Sequence, residues 1–163
     1  MLSRHFTMTN NIWHLRILGK QHCMGNKIKI LIVEDEFISR TLLKEMLTPF
    51  GDCDMVTNGR EAVDALEKSY SGPENRYDLV CLDIMMPQMS GHEVLREMRR
   101  IEKDKGILGA DVAKVLMVTA LDDSKNIMEA LVDGRCEAYL TKPISRARLE
   151  EHLRHLQLID NIS

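Results

Sequence analysis

The chain predicts an α/β fold: a doubly wound, five-stranded parallel sheet with helices on both faces. Three observations predict it. Short, apolar, largely β-branched runs recur five times; a segment with helical spacing follows each one; and Gly or Pro punctuates the junctions. Strands that alternate with helices in this way join by right-handed crossovers.

Each element has its own signal. Residues 28–33 are an apolar run rich in Ile and Val, which predicts a buried strand. Residues 37–47 follow as a helix, with Ile38, Leu42 and Met46 as its apolar stripe and Pro49 and Gly51 as its stop. Residues 54–56 are a weaker second strand. Asn58 then caps a helix, with Glu61 at capping-box spacing and Val63 and Leu66 on the buried face beside Ala62. Residues 78–82 make the third strand, which breaks into the loop Met85-Met86-Pro87-Gln88-Met89-Ser90-Gly91. Ser90 and Glu93 repeat the capping-box spacing, and Val94, Leu95, Met98 and Ile101 face inward. A charged linker, 102–105, leads to Gly106 and Gly109, and residues 115–118 form the fourth strand. Asp122 or Asp123 opens the fourth helix, with Ile127 and Leu131 inward and Gly134 closing it. Residues 137–140 are the fifth strand, stopped by Pro143, and 145–158 are the last helix, with Leu149, Leu153 and Leu156 on one face.

The 163 residues fit one domain, 27–163, behind an N-terminal extension, 1–26. The extension holds Arg4, Arg16 and Lys20 and no acidic residue, so it carries +3 of a total of -3 and the remainder carries -6. Met24 stands just before the first strand, and three readings of 1–26 compete: a start upstream of the true one, a docking arm, or a disordered tail. No second, output domain is expected after the last helix. The weak net negative charge invites no nucleic acid, and no apolar run approaches the length that a membrane helix needs. Cys23, Cys53, Cys81 and Cys136 lack paired-ligand spacing and read as reduced thiols of a cytoplasmic protein. His152 and His155 share a helix face without companion ligands and read as solvated.

Ligands of an open parallel sheet bind beyond the carboxyl ends of its strands. Those ends carry Glu34-Asp35-Glu36, then Asp83, then Thr119-Ala120, then Lys142-Pro143. Carboxylates gathered at one edge stay ionised together only if a cation joins them. Oxygen ligands favour a hard cation, Mg²⁺ first. With an ammonium at Lys142 and a hydroxyl at Thr119, the set suits a transferring phosphoryl group, with one carboxylate as nucleophile. Glu36 reads as a first-turn residue favoured by the helix dipole.

The stretches Leu31-Ile32-Val33-Glu34-Asp35, Asp78-Leu79-Val80-Cys81-Leu82-Asp83-Ile84-Met85-Met86-Pro87 with Gly91, Val118-Thr119-Ala120 and Leu140-Thr141-Lys142-Pro143 together resemble the receivers of two-component response regulators, stand-alone chemotaxis-type receivers among them. They stand in that family's order over 27–163. The resemblance implies the flavodoxin-like strand order 2-1-3-4-5. It implies that Asp83 is the phosphoacceptor and that Glu34, Asp35, Asp83 and the backbone carbonyl of Met85 surround a Mg²⁺. Thr119 is then the switch hydroxyl, Lys142 the partner of the phosphoryl group, Tyr139 the switch aromatic, and Lys142-Pro143 a cis peptide. A histidine kinase or phosphotransfer protein would be the donor. The surface of the fourth helix, fifth strand and fifth helix would bind an unknown protein target, with the chain a monomer or weak dimer. Such a chain is no enzyme beyond its own phosphorylation and dephosphorylation.

Two features depart from the commonest receiver pattern. Glu34 stands where many receivers have Asp, and 102–113 is long. Other readings are a relay or scaffold receiver, a flavodoxin-type cofactor module and a haloacid-dehalogenase-type hydrolase. The acidic first loop repels a cofactor phosphate, and Glu34-x-Glu36 lacks the hydrolase's aspartate. Met85 and Leu121, each two residues past a site residue, are apolar and position no attacking water, so the phosphorylated state is expected to last.

Overall fold

The computed structural model describes residues 27–120 and 136–160. Its five strands are β1 (Ile28–Val33), β2 (Gly51–Val56), β3 (Leu79–Asp83), β4 (Lys114–Thr119) and β5 (Ala138–Thr141). The helices are α1 (Phe37–Leu47), α2 (Gly59–Ser69), α3 (Gly91–Asp104) and α4 (Arg146–His155). All strand pairs are parallel and the order is β2-β1-β3-β4-β5. The expected fourth helix, with Ile127, Leu131 and Gly134, lies outside the described residues, as do Leu121, Cys23 and the extension 1–26.

Burial explains the strand order. β3 is buried at every position, and β1 and β4 at all but one, while β2 and β5 are each buried at one position only and stand at the edges. Leu31, Val33, Val80 and Leu82 point to one face and pack with Leu66, Val94 and Met98 of α2 and α3. Ile30, Ile32, Cys81 and Leu116 point to the other and pack with Leu43 and Leu47 of α1 and Leu149 and Leu153 of α4. Each such Leu or Ile removed from water contributes about 1.5–3 kcal/mol, so both faces anchor the strand ends that carry the site. No helix among the described residues is long and apolar enough to cross a membrane.

Several expectations need correction. The apolar stripe of α1 is not Ile38, Leu42 and Met46. Leu43 and Leu47 are buried, Met46 is half-buried, and Ile38 and Leu42 are exposed together with Phe37. Two apolar stripes one residue apart compete in this helix, and the crossing of α1 over the sheet selects the second. β2 starts at Gly51 instead of 54: Gly51 already pairs in register with Ile28, and it comes so close that a side chain there would overlap the Ile28 carbonyl oxygen. Residues 102–104 are no linker but the last turn of α3, and Glu102 is buried. At the C-terminus α4 ends at His155, and Leu158 is buried where Leu156 is only half so.

Candidate functional site

The site is built on backbone bonds that prolong the sheet. The Glu34 amide donates to Val56 O (3.3 Å), the Ile84 amide to Val118 O (3.0 Å) and the Lys142 amide to Thr119 O (2.7 Å). Asp83 pairs in register with Val118, and Thr119 with Thr141. The ends of β1, β3, β4 and β5 therefore form one edge, which carries the polar residues at or just beyond each strand end. The Lys142-Pro143 peptide is cis, as the motif implied.

Glu34, Asp35 and Asp83 each offer a carboxylate oxygen within 4.8 Å of the others. Glu34 and Asp83 are buried and Asp35 is exposed. The Lys142 ammonium lies 2.9 Å from Glu34 Oε2 and 3.4 Å from Asp83 Oδ1. Burial and the neighbouring Glu34 charge push the Asp83 carboxyl up to about 6, with Lys142 opposing them in part. Burial works against the Lys142 charge, but the Glu34 hydrogen bond and the Asp83 and Glu34 charges outweigh it and hold the ammonium above its ordinary range. Three carboxylates against one ammonium leave the cluster short of positive charge. An all-oxygen donor set with one exposed member fits a hard divalent cation such as Mg²⁺.

Thr119 is fully buried at the end of β4, and its hydroxyl donates to the Ala120 carbonyl at 3.1 Å. It stands at the right edge, but no hydrogen bond joins it to Asp83 among the described residues. Tyr139 lies on β5 opposite Met117 and packs against the α2–α3 face of the core. Its hydroxyl is buried without a hydrogen-bond partner among the described residues, and burial together with the adjacent Cys136 thiol pushes its pKa up. Met85 turns its side chain to solvent, 65% exposed, two residues beyond Asp83. Glu36 is not a first-turn residue but the N-cap of α1: its carboxylate accepts from the Ile38 amide (2.9 Å) and the Ser39 amide (2.6 Å). These bonds hold the Glu36 carboxyl below its ordinary range. Glu61 likewise reaches one residue further back than a capping box requires, to the amide and hydroxyl of Thr57.

Two residues near the cluster escaped the sequence reading in different degrees. Gly91 belongs to the quoted motif, yet its reason is visible only here: a Cβ would overlap the Asp83 carbonyl oxygen, and the Gly91 amide donates to Ile84 O at 3.0 Å. Arg40 carried no signal at all. Its guanidinium donates from Nη1 to the carbonyls of Glu34 (2.8 Å) and Asp35 (3.1 Å).

Comparison with known proteins agrees with this geometry. The profile of the response regulator receiver domain matches residues 30–154. The chain is 30% identical over 127 residues to the chemotaxis protein CheY of Thermotoga maritima, covering 77% of this chain and 93% of that one. It is 34% identical over 125 residues to the osmosensing histidine protein kinase SLN1 of Saccharomyces cerevisiae, covering 76% of this chain but only 10% of the kinase. It spans 46% of the regulatory protein VanRB of Enterococcus faecalis. Among solved structures, the receiver domain of the histidine kinase CKI1 from Arabidopsis thaliana, complexed with Mg²⁺ and BeF₃⁻, superposes with a TM-score of 0.68 at 26% identity, covering 80% of this chain and 89% of that one. The receiver domain of the sensor histidine kinase PA1611 from Pseudomonas aeruginosa, with magnesium in its active-site cleft, superposes with a TM-score of 0.64 at 26% identity over 80% of this chain and 98% of that one.

Proposed function

The chain belongs to the response regulator receiver domain family, and on that premise we propose that Asp83 accepts a phosphoryl group from a histidine kinase or phosphotransfer protein. One observation carries the reading: Glu34, Asp35 and Asp83 converge within 4.8 Å, with the Lys142 ammonium 3.4 Å from Asp83. In the transfer, the bond from phosphorus to the donor's histidine nitrogen breaks as a bond forms to an Asp83 carboxylate oxygen. Glu34, Asp35, Asp83 and the Met85 carbonyl would hold a Mg²⁺, which when bound neutralises charge on the phosphoryl oxygens.

The chain's own groups do the rest. Asp83 is fixed at a strand end, so the nucleophile costs little entropy to align. Lys142 is held by Glu34 and stands ready for the negative charge that arrives on Asp83. The Thr119 hydroxyl, now bonded to Ala120 O, is the group that turns toward the phosphoryl oxygens. Tyr139, half-buried on the same strand pair, follows it and alters the surface of β5 and α4 for a protein target. The chain is not an enzyme acting on other molecules; it promotes its own phosphorylation and slow dephosphorylation. The setting is cytoplasmic, in keeping with Cys53, Cys81 and Cys136 as free thiols. A relay that passes the group to a further histidine is the second reading, favoured by likeness to receivers within histidine kinases such as the hybrid kinase L of Dictyostelium discoideum.

The test is incubation with a small acyl-phosphate and Mg²⁺, read by intact mass beside Asp83→Asn. A phosphoryl adduct on the parent alone is expected. An adduct that persists in the variant, or none on either chain, would overturn the assignment.

A further inference from the structure

We infer that Arg40 is a positioning residue for the cation-binding acidic pair, acting by clamping the turn that carries Glu34 and Asp35. The inference rests on the metal-assisted phosphoacceptor reading above. Asp35 is exposed, and among the described residues no hydrogen bond holds its carboxylate. Its place opposite Asp83 therefore depends on the backbone of the turn, where the Glu36 amide donates to Glu34 Oε1 at 3.2 Å. Arg40 holds the carbonyl side of that backbone. From one turn into α1 its Nη1 reaches back to two consecutive carbonyls, Glu34 O at 2.8 Å and Asp35 O at 3.1 Å. Glu36 grips the same turn from the other direction by accepting the Ile38 and Ser39 amides, and the Glu34 amide is tied to Val56 O. The Arg40 guanidinium carbon also lies 5.7 Å from the centroid of the Phe37 ring, a cation–π contact on the same turn of α1. An arginine with two donors on one terminal nitrogen suits a pair of adjacent carbonyls.

Charge and geometry predict opposite signs for its removal. Arg40 is a cation close to a cation site, so by charge alone a neutral residue would tighten metal binding. As a clamp, its loss loosens Asp35 and weakens binding, in the way that residues orienting metal ligands act on affinity.

The experiment titrates the full chain with Mn²⁺, counts the free ion by its paramagnetic resonance, and lets Mg²⁺ compete. Parent, Arg40→Met and Arg40→Lys are compared. Met keeps the length of the stem and no donor; Lys keeps donor and charge. We expect Arg40→Met to bind Mn²⁺ about ten-fold more weakly, Arg40→Lys to recover most of that loss, and metal-free melting midpoints to stay together. Unchanged or tighter binding by Arg40→Met would overturn the inference. So would equal weakness in Arg40→Lys, or a collapsed metal-free midpoint in Arg40→Met, which would assign Arg40 to the fold. A parent that ignores Mn²⁺ and Mg²⁺ would sink the metal-centre reading itself, and the Arg40 inference with it.

Discussion

Tyr70, the residue that closes α2, donates its hydroxyl to Glu102 Oε1 at 2.9 Å, joining two helices through a buried carboxylate. Glu102 Oε2 meets Arg99 Nη1 at 2.8 Å, and its Oε1 also takes the Ala113 amide at 3.3 Å. Arg99 continues to Glu137, whose Oε2 accepts the Val115 amide at the start of β4. A buried carboxylate with three partners is costly to disrupt, because removing it strands the others. Glu102→Ala should lower the unfolding free energy by about 3 kcal/mol, and Tyr70→Phe by about 1 kcal/mol. Urea unfolding reads both, and a loss below about 0.5 kcal/mol for Glu102→Ala, the range of ordinary surface changes, would show that the network does not hold these elements.

That network marks the limit of what the sequence conveys. Strand and helix identity were legible because apolar periodicity is local, as in Leu31 and Val33 or Val94 and Met98. That Glu34, Asp35, Asp83 and Lys142 gather at one edge was legible because the parallel sheet brings the ends of its strands together. Glu102 read as part of a charged linker, since charge is judged from neighbours in sequence and its partner Tyr70 lies at the end of another helix. The α1 stripe was misread because Leu42 and Leu43 are adjacent, and only the packing partner distinguishes which of the two faces inward. Arg40 was silent for a related reason: its partners are backbone carbonyls, which have no letter in a sequence.

Gly91 stands where the Asp83 carbonyl passes too close for any side chain. Gly91→Ala must move either α3 or the β3 end that carries Asp83. Overpacking of this kind costs about 1–3 kcal/mol, and a shift of the β3 end would carry the proposed phosphoacceptor Asp83 with it. We expect Gly91→Ala to lower urea stability by about 2 kcal/mol and to slow acyl-phosphate labelling of Asp83 by more than ten-fold, roughly what a misplacement near 1 Å does to an aligned reaction. Parent-like labelling kinetics would show that the close approach is not needed for the chemistry.

The raised Asp83 carboxyl makes metal-free stability depend on pH. In the folded chain it titrates near 6 against an ordinary 3.8, so folding favours its neutral form. Its contribution is fully present below about pH 4 and is lost as pH rises through about 6. Asp83→Asn removes that loss. Without divalent cation, the variant should be more stable than the parent by about 3 kcal/mol at pH 8, with the gap closing toward pH 4. Added Mg²⁺ should stabilise the parent and leave the variant nearly unchanged. Chemical denaturation across that pH range decides it; a gap of the same size at pH 4 and pH 8 would remove titration of Asp83 as the cause.

Hydrolysis of an aspartyl-phosphate needs a water aligned behind the phosphorus. Met85, two residues beyond Asp83 and 65% exposed, presents a thioether that neither donates a proton to nor firmly holds such a water. The phosphorylated chain should therefore survive for many minutes in Mg²⁺ buffer, as followed by intact mass after donor removal. Met85→Asn offers a carbonyl and an amide at the same place and should shorten that lifetime by about ten-fold, less than a fully positioned general base supplies. Because the Met85 side chain is exposed, the substitution should leave urea stability within about 0.5 kcal/mol, so a change in lifetime reports on water and not on the fold. A parent adduct lost within seconds would mean that another group already aligns the water, and an unchanged lifetime in Met85→Asn would mean that this position does not face it.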